Sequence, residues 1–266
     1  MKDYYAPVEH KGVALGAESD NMTALITGGG AGIGAAIAAA LRRDGAQVLT
    51  VDVDPSTGAD VVADVSVTTD VERTFDEVRA RLGGLDLLVN NVGVAGPTAA
   101  VDEMDPDEFD RCVQVNLGSA FRCTRAAVPL LRERKGSIVN ISSTAGLFGY
   151  PLRSPYAAAK WGVIGLTKTW AMELGPEGVR VNAICPGSVG GPRMDGVIAR
   201  EAAVRGADEA DLRRRYEGQV SMRTFIDGTD VAEAVVWLAS PAARFVSGVI
   251  LSVDGHTETL ATVDVR

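Results

Sequence analysis

The stretch TALITGGGAGIG, residues 23–34, decides the fold. TALIT (23–27) is a short apolar run of the kind that forms a strand buried on both faces of a parallel sheet. Three glycines follow at once, and from Ile33 the chain turns Ala-rich and helical up to Arg43. Glycines between a strand and a helix permit a tight turn and let backbone N–H groups approach a pyrophosphate, whose charge the helix N-terminus favours. Gly28, Ala31, Gly32, Ile33 and Gly34 are the residues of this turn expected to meet a dinucleotide. Alone, the motif is also compatible with a plain strand-to-helix loop.

Working outward, the alternation continues. QVLTVD (47–52) reads as the second strand, and DVVADV (60–65) contains a third. Residues 70–82 place Val71, Phe75, Val78 and Leu82 on one helical face. LDLLVN (85–90), GSIVNIS (136–142), VRVNAI (179–184) and GVILSVDG (248–255) supply four further strands. Two helices joined by a bend near Asn116 occupy 106–134, and others run from about Pro155 to Leu174 and from Thr229 to Ser240. Right-handed crossovers put such helices on both faces of a parallel sheet. The expectation is one Rossmann-type, doubly wound α/β domain with a central parallel sheet of about seven strands, spanning 22–266. Residues 1–21 lack periodicity and read as a loosely held extension, and the polar segment at about 190–222 reads as a substrate lid.

Asp52 ends the second strand, 24 residues after Gly28. A carboxylate there can accept from both adenosine ribose hydroxyls and repels a 2′-phosphate, and Ala31 supplies no cation to offset that repulsion. Both features favour NAD over NADP; a solvated strand end is the other reading of Asp52. Asp64 and Val65, after the third strand, can flank the adenine, with Asp64 accepting from its amino group. Asn90 and Gly93, in NNVG (90–93), close the fourth strand at the edge where ligands of open α/β sheets gather. Asn90 can equally bridge neighbouring strands, and the two roles are compatible.

Composition excludes several classes. The formal net charge is −9, with no basic run or basic–aromatic stripe, so nucleic acid is not an expected partner. Cys112, Cys123 and Cys185 lack CxxC spacing, and only two histidines are present, so neither a disulfide framework nor a metal site is expected. No apolar run approaches the roughly 20 residues that span a bilayer. A soluble, cytoplasmic protein with no membrane partner is the default expectation.

The ordered motifs TGGGAGIG, NNVG, VNLGSAF around Asn116, NISS ending at Ser143, YAAAK (156–160) and PGSV (186–189) resemble those of the short-chain dehydrogenase/reductase family over about residues 22–256. The resemblance implies that Tyr156 transfers the proton, that Lys160 lowers the phenol's pKa and holds the nicotinamide ribose, and that Ser143 binds the substrate oxygen. It also implies that Asn116 bends its helix and anchors a water relay through Lys160. Tyr156 and Lys160 stand four apart, on one face of a helix. A free tyrosine, with a pKa near 10, needs a neighbouring cation to act as a base at neutral pH. Ser142 is the rival of Ser143; the second serine of such a pair is the family's usual choice. Pro186, Gly187 and Val189 match the loop that faces the nicotinamide, Val189 meeting the carboxamide. Gly191 stands where the family commonly has Thr, which removes one cofactor contact.

The expected activity is hydride transfer between NAD(H) and a secondary alcohol or ketone: a sugar, polyol, hydroxy acid or cyclic alcohol. Arg153 and Arg193 are candidates to face an anionic or hydroxyl-rich substrate, with exposed or structural arginines as the bland alternative. Trp161, Met222, Phe225 and Ile226 read as packing residues. An NADPH-dependent oxoacyl-type reductase and a non-catalytic nucleotide sensor on the same scaffold are the competing readings. Ala31 with Asp52 speaks against the first, and an intact Tyr156–Lys160 pair against the second. Family resemblance and surplus apolar residues on the 106–134 and 156–174 helices imply a homotetramer, with the C-terminal segment near a subunit contact.

Overall fold

A computed structural model describes residues 22–260. The extension 1–21 and the last six residues lie outside them. Seven strands form one parallel sheet: β1 (Thr23–Thr27), β2 (Gln47–Asp52), β3 (Val61–Val62), β4 (Leu87–Asn90), β5 (Ser137–Ile141), β6 (Arg180–Pro186) and β7 (Ile250–Val253). Their order is β3-β2-β1-β4-β5-β6-β7, every pair parallel. The chain winds outward from β1 in both directions, so the crevice for a ligand opens where β1 and β4 end side by side.

Helices cover both faces. Helix α1 (Gly32–Arg43) and α8 (Gly228–Ala239) pack Ile37, Leu41, Val231 and Val235 against one face of the sheet. Helices α2 (Thr68–Leu82), α4 (Ser119–Arg134) and α5 (Ser154–Leu174) pack Phe75, Val78, Leu131 and Trp170 against the other. A sheet sealed on both sides needs strands apolar throughout, and TALIT is buried along its whole length. Helix α3 (Pro106–Val113) begins under a cap by Asp105 and runs into a π-helical turn at Gln114–Gly118 before α4. That turn is the expected bend at Asn116. Helix α2 starts at Thr68, two residues before residue 70, with the Val71 amide already donating to the Val67 carbonyl, and its Asp70 carboxylate accepts from the Asp64 amide in the loop before it.

Helices α6 (Pro192–Arg205) and α7 (Glu209–Gly218) form an appendage with its own small core of Ile198, Ala202, Leu212 and Tyr216, flanked by Met194 and Phe225. Ile226 packs instead on the α1–α8 side of the sheet. Two expected packing residues are not buried: Met222, in the turn after α7, is 46% exposed, and Trp161 is 52% exposed on the outer side of α5. Among the described residues, no helix is long and apolar enough to cross a membrane.

Candidate active site

The glycine turn is held by contacts that leave no room for side chains. A Cβ on Gly34 would lie 2.0 Å from the Gly28 carbonyl oxygen, so the helix can start against the turn only with glycine there. Gly28 and Gly32 take φ of +62° and +52°, left-handed values that favour glycine. Asn91 clamps the turn: its Nδ2 donates to the carbonyls of Thr27 (3.1 Å) and Gly28 (2.9 Å). Asn91 is absent from the sequence-derived set, although NNVG displayed it; its partners lie more than 60 residues away.

Asp52 stands beside this turn. Its Oδ2 accepts from the Gly30 amide and its Oδ1 from the Asp54 amide, each at 3.1 Å. Asp64 closes its own loop by accepting from Ser66 N and Oγ through Oδ1, and Val65 is buried in the sheet core. Asn90 bridges strands: its Nδ2 donates to Asn140 Oδ1 and Thr124 Oγ1 deep under the site. Pro186 ends β6, Gly187 donates to Val253 O, and Val189 forms a bridge with Ile226. Gly191 has φ of +122°, a conformation that side chains rarely adopt, so a Thr there would be strained. The departure from the family pattern therefore has a backbone cause, the sharp entry into α6.

The residues read as catalytic meet at the ends of β4 and β5. Lys160 is buried and donates from Nζ to the Ile141 carbonyl at 2.9 Å, 5.7 Å from the centroid of the Tyr156 ring. Asn116, in the π-turn, donates from Nδ2 to the carbonyls of Cys112 (2.8 Å) and Val94 (3.2 Å). Ser143 Oγ accepts from the Ala145 amide at 3.1 Å. Ser142 is buried and donates to the Lys160 carbonyl at 2.9 Å, which occupies it structurally and leaves Ser143 at the cleft. Burial pushes the Tyr156 phenol up, but Lys160 first, then Arg193, Ser143 and Arg153 hold it below the ordinary tyrosine value. Burial likewise lowers Lys160, against the pull of Tyr156. Burial raises the nearby thiols of Cys112 and Cys185, so neither is poised as a thiolate.

Arg153, three residues before Tyr156, is 2% exposed and packs over the rings of both Tyr150 and Tyr156. Arg193 lies exposed at the start of α6. Sequence reasoning missed a chain of polar groups beyond them. Tyr150 and Tyr216 share a 2.8 Å hydroxyl–hydroxyl bond, Tyr216 donates to Glu201 Oε2, and Glu201 Oε1 accepts from Arg205 Nε at 2.7 Å.

The residues present fit a dinucleotide. The N-terminus of α1 has no side-chain cap and no acidic residue in its first turn, which leaves its amides and dipole to an external anion. At the other end, Asn116 Oδ1 is buried without a partner beside Gly93. A Cβ on Gly93 would lie 2.6 Å from that oxygen and 3.4 Å from Lys160 Nζ, so glycine keeps a space there lined by polar atoms.

A family model described as enoyl-(acyl carrier protein) reductase matches residues 28–256. The chain is 38% identical over 251 residues to 2-(S)-hydroxypropyl-CoM dehydrogenase 3 of Xanthobacter autotrophicus, covering 88% of this chain and 96% of that protein. Among solved structures, an NAD⁺-bound xylitol dehydrogenase is similar with a TM-score of 0.83 and 30% identity, over 88% of this chain and 98% of that one. An actinorhodin polyketide ketoreductase with NADPH has the same TM-score at 31% identity, over 89% and 97%.

Proposed function

Because the chain belongs to the short-chain dehydrogenase/reductase family, and is thus an oxidoreductase of alcohols and ketones that uses a nicotinamide cofactor, we propose that it is an NAD-dependent dehydrogenase with Tyr156 as its proton-transfer residue. The observation that carries this is the geometry at the ends of β4 and β5: the buried Lys160 ammonium, anchored on the Ile141 carbonyl, stands 5.7 Å from the centroid of the Tyr156 ring, with Ser143 following the end of β5. When bound, the nicotinamide takes up or gives the hydride. Tyr156 takes the hydroxyl proton in oxidation and returns it in reduction. Ser143 donates to the substrate oxygen and steadies the charge that develops there. Lys160 supplies the field that favours the phenolate, and Asn116, whose Oδ1 faces the same space, takes the anchoring role for a proton relay.

NAD is the preferred cofactor in this reading, because Asp52 sets a carboxylate beside the glycine turn and residues 28–34 contain no cation. Gly28, Ala31, Gly32, Ile33 and Gly34 bind the pyrophosphate, Asp64 and the main chain of the buried Val65 the adenine, and Gly93, Pro186, Gly187, Val189 and the main chain of Asn90, whose side chain is engaged below, the nicotinamide end. Helices α6 and α7, inside 190–222, are the lid. The working assembly is a homotetramer: Phe121 on α4 and Trp161 and Met172 on α5 are 51%, 52% and 80% exposed, apolar surface that a subunit contact would cover.

The test is an NAD⁺-linked screen of secondary alcohols with the unmodified chain and Tyr156→Phe. Oxidation by the first and near-loss in the second, with folding confirmed by circular dichroism, is the expected result; equal activity overturns the assignment. Sedimentation at micromolar concentration should show a tetramer, and monomer alone refutes that part.

A further inference from the structure

We propose that the substrate carries an oxyanion group — a carboxylate, sulfonate or phosphate — bound by Arg153 and Arg193 next to Tyr156. This rests on the dehydrogenase reading and adds the class of substrate.

Among the described residues, Arg153 is a buried cation with no ion pair. Its Nη2 donates to the Ala95 carbonyl, while its Nε and Nη1 are buried and without hydrogen-bond partners. Its carbon Cζ sits 5.2 Å from the Tyr150 ring centroid and 5.4 Å from that of Tyr156. Those ring faces attract the charge but satisfy neither free N–H. A guanidinium cannot shed its proton, so burying it without an anion is costly unless something else supplies the counter-charge. Glu201, the nearest carboxylate in the polar chain behind Tyr150, is already engaged by Arg205 and Tyr216.

On the far side of Ala95 lies an open surface cleft of about 560 Å³, lined by Gly93–Pro97, Glu108, Arg193 and Arg200. The Ala95 carbonyl that fastens Arg153 belongs to that wall. Neither Arg193 nor Arg200 forms an ion pair among the described residues, and Glu108 is the one carboxylate among these lining residues. Arg153 lies over the Tyr156 ring, and Arg193, at the start of α6, lines the same cleft as Ala95, whose carbonyl holds Arg153. An oxyanion there would accept from the free Arg153 donors and meet Arg193 as α6 closes.

The experiment compares 3-hydroxybutanoate, 4-hydroxypentanoate and 5-hydroxyhexanoate, each against its methyl ester, so that only the charge changes. With NAD⁺, at least one acid should exceed its ester in kcat/KM by about tenfold or more, as a charge-assisted hydrogen bond predicts. Arg153→Gln and Arg193→Gln should each shrink that ratio about tenfold. Hexanoate, which cannot be oxidised at this centre, should bind the unmodified protein in calorimetry and bind both variants more weakly. Arg193 is a surface residue, so its variant keeps the test decisive if Arg153→Gln does not fold. Esters oxidised as well as acids, with no hexanoate binding, overturn the inference and leave the dehydrogenase reading standing. Hexanoate binding that the variants lose, with no member oxidised, supports the anion site and counts against the dehydrogenase reading instead.

Discussion

Tyr156, Lys160 and Ser143 stand on elements pressed against the sheet, whereas Arg193, Glu201 and Tyr216 stand on α6 and α7, whose core is separate from both sheet clusters. In the first region, three polar groups are tied to backbone from another element: Lys160 to β5, Ser142 to α5, Asn116 to the loop after β4. In the second, the ties to the rest of the molecule include the Tyr150–Tyr216 bond, the Val189–Ile226 and Val220–Thr257 bridges, and the hydrogen bonds of residues 219–222 to 255–258. Proton transfer loses rate steeply when a reacting group is misplaced by an ångström, so its residues belong where packing fixes them. A substrate must enter, so the elements that sort it belong where separation costs little.

The largest effects should come from the fixed region. Tyr156→Phe removes the proton path, and general acid–base catalysis is worth about 10²–10⁴-fold. Lys160→Ala should approach the same loss. The pH profile separates this from simple misfolding. Oxidation needs the phenolate, so kcat/KM should rise with pH through a value below that of ordinary tyrosine, and reduction should fall over the same range. Because Lys160 is the strongest cation acting on the phenol, its removal should move residual oxidation to higher pH. An unmoved profile in a folded variant would break the assignment.

A smaller effect is expected at the far end of the same region. Asp52→Asn keeps an acceptor for the Gly30 amide but removes the charge, and Asp52→Ala removes both. Charge-assisted bonds to a ribose diol are worth roughly 1.5–3 kcal/mol each, discounted here because the carboxylate is partly exposed. The NAD⁺ to NADP⁺ ratio of kcat/KM should therefore fall about tenfold or more in Asp52→Asn. Adding Ala31→Arg to Asp52→Ala should narrow it further or reverse it. Equal use of both cofactors by the unmodified chain would mean that Asp52 does not face the ribose.

How much of this was legible in the sequence follows the same division. The strand and helix of TALITGGGAGIG, the whole of β2, and the bend at Asn116 were readable because apolar periodicity and glycine are local signals. The Tyr156–Lys160 pair was readable because four residues of helix fix the spacing. Asn91's grip on the glycine turn, Arg153's anchorage at Ala95 and the Tyr150–Tyr216 bond were not. Each joins residues roughly 60 positions apart and needs the fold before it can be seen. Met222 and Trp161 were misjudged for a related reason: an apolar side chain on a helix or turn does not announce which face the sheet will cover.

The smallest effect should come from the tie between the regions, and it tests whether they are separable at all. Tyr216 donates to Glu201, so its own oxygen accepts the Tyr150 proton, and Tyr216→Phe deletes both bonds at once. One is between neutral hydroxyls, worth about 0.5–1.5 kcal/mol net, and the other is to a carboxylate, worth about 1.5–3 kcal/mol. Glu201 keeps Arg205, so its charge is not stranded. The loss falls on closure of α6 and α7 over Tyr150. Where the closed form already dominates, most of that loss is absorbed before binding suffers. KM should rise several-fold, kcat should stay within about twofold, and hydrogen exchange should speed up across 192–218 while β4 and β5 keep their protection. Tyr150→Phe, which removes only the hydroxyl–hydroxyl bond, should do the same to a lesser degree. If instead kcat falls with KM, or the sheet exchanges faster alongside the helices, then α6 and α7 are part of the structure that positions Tyr156, and the lid cannot be treated as a separate element.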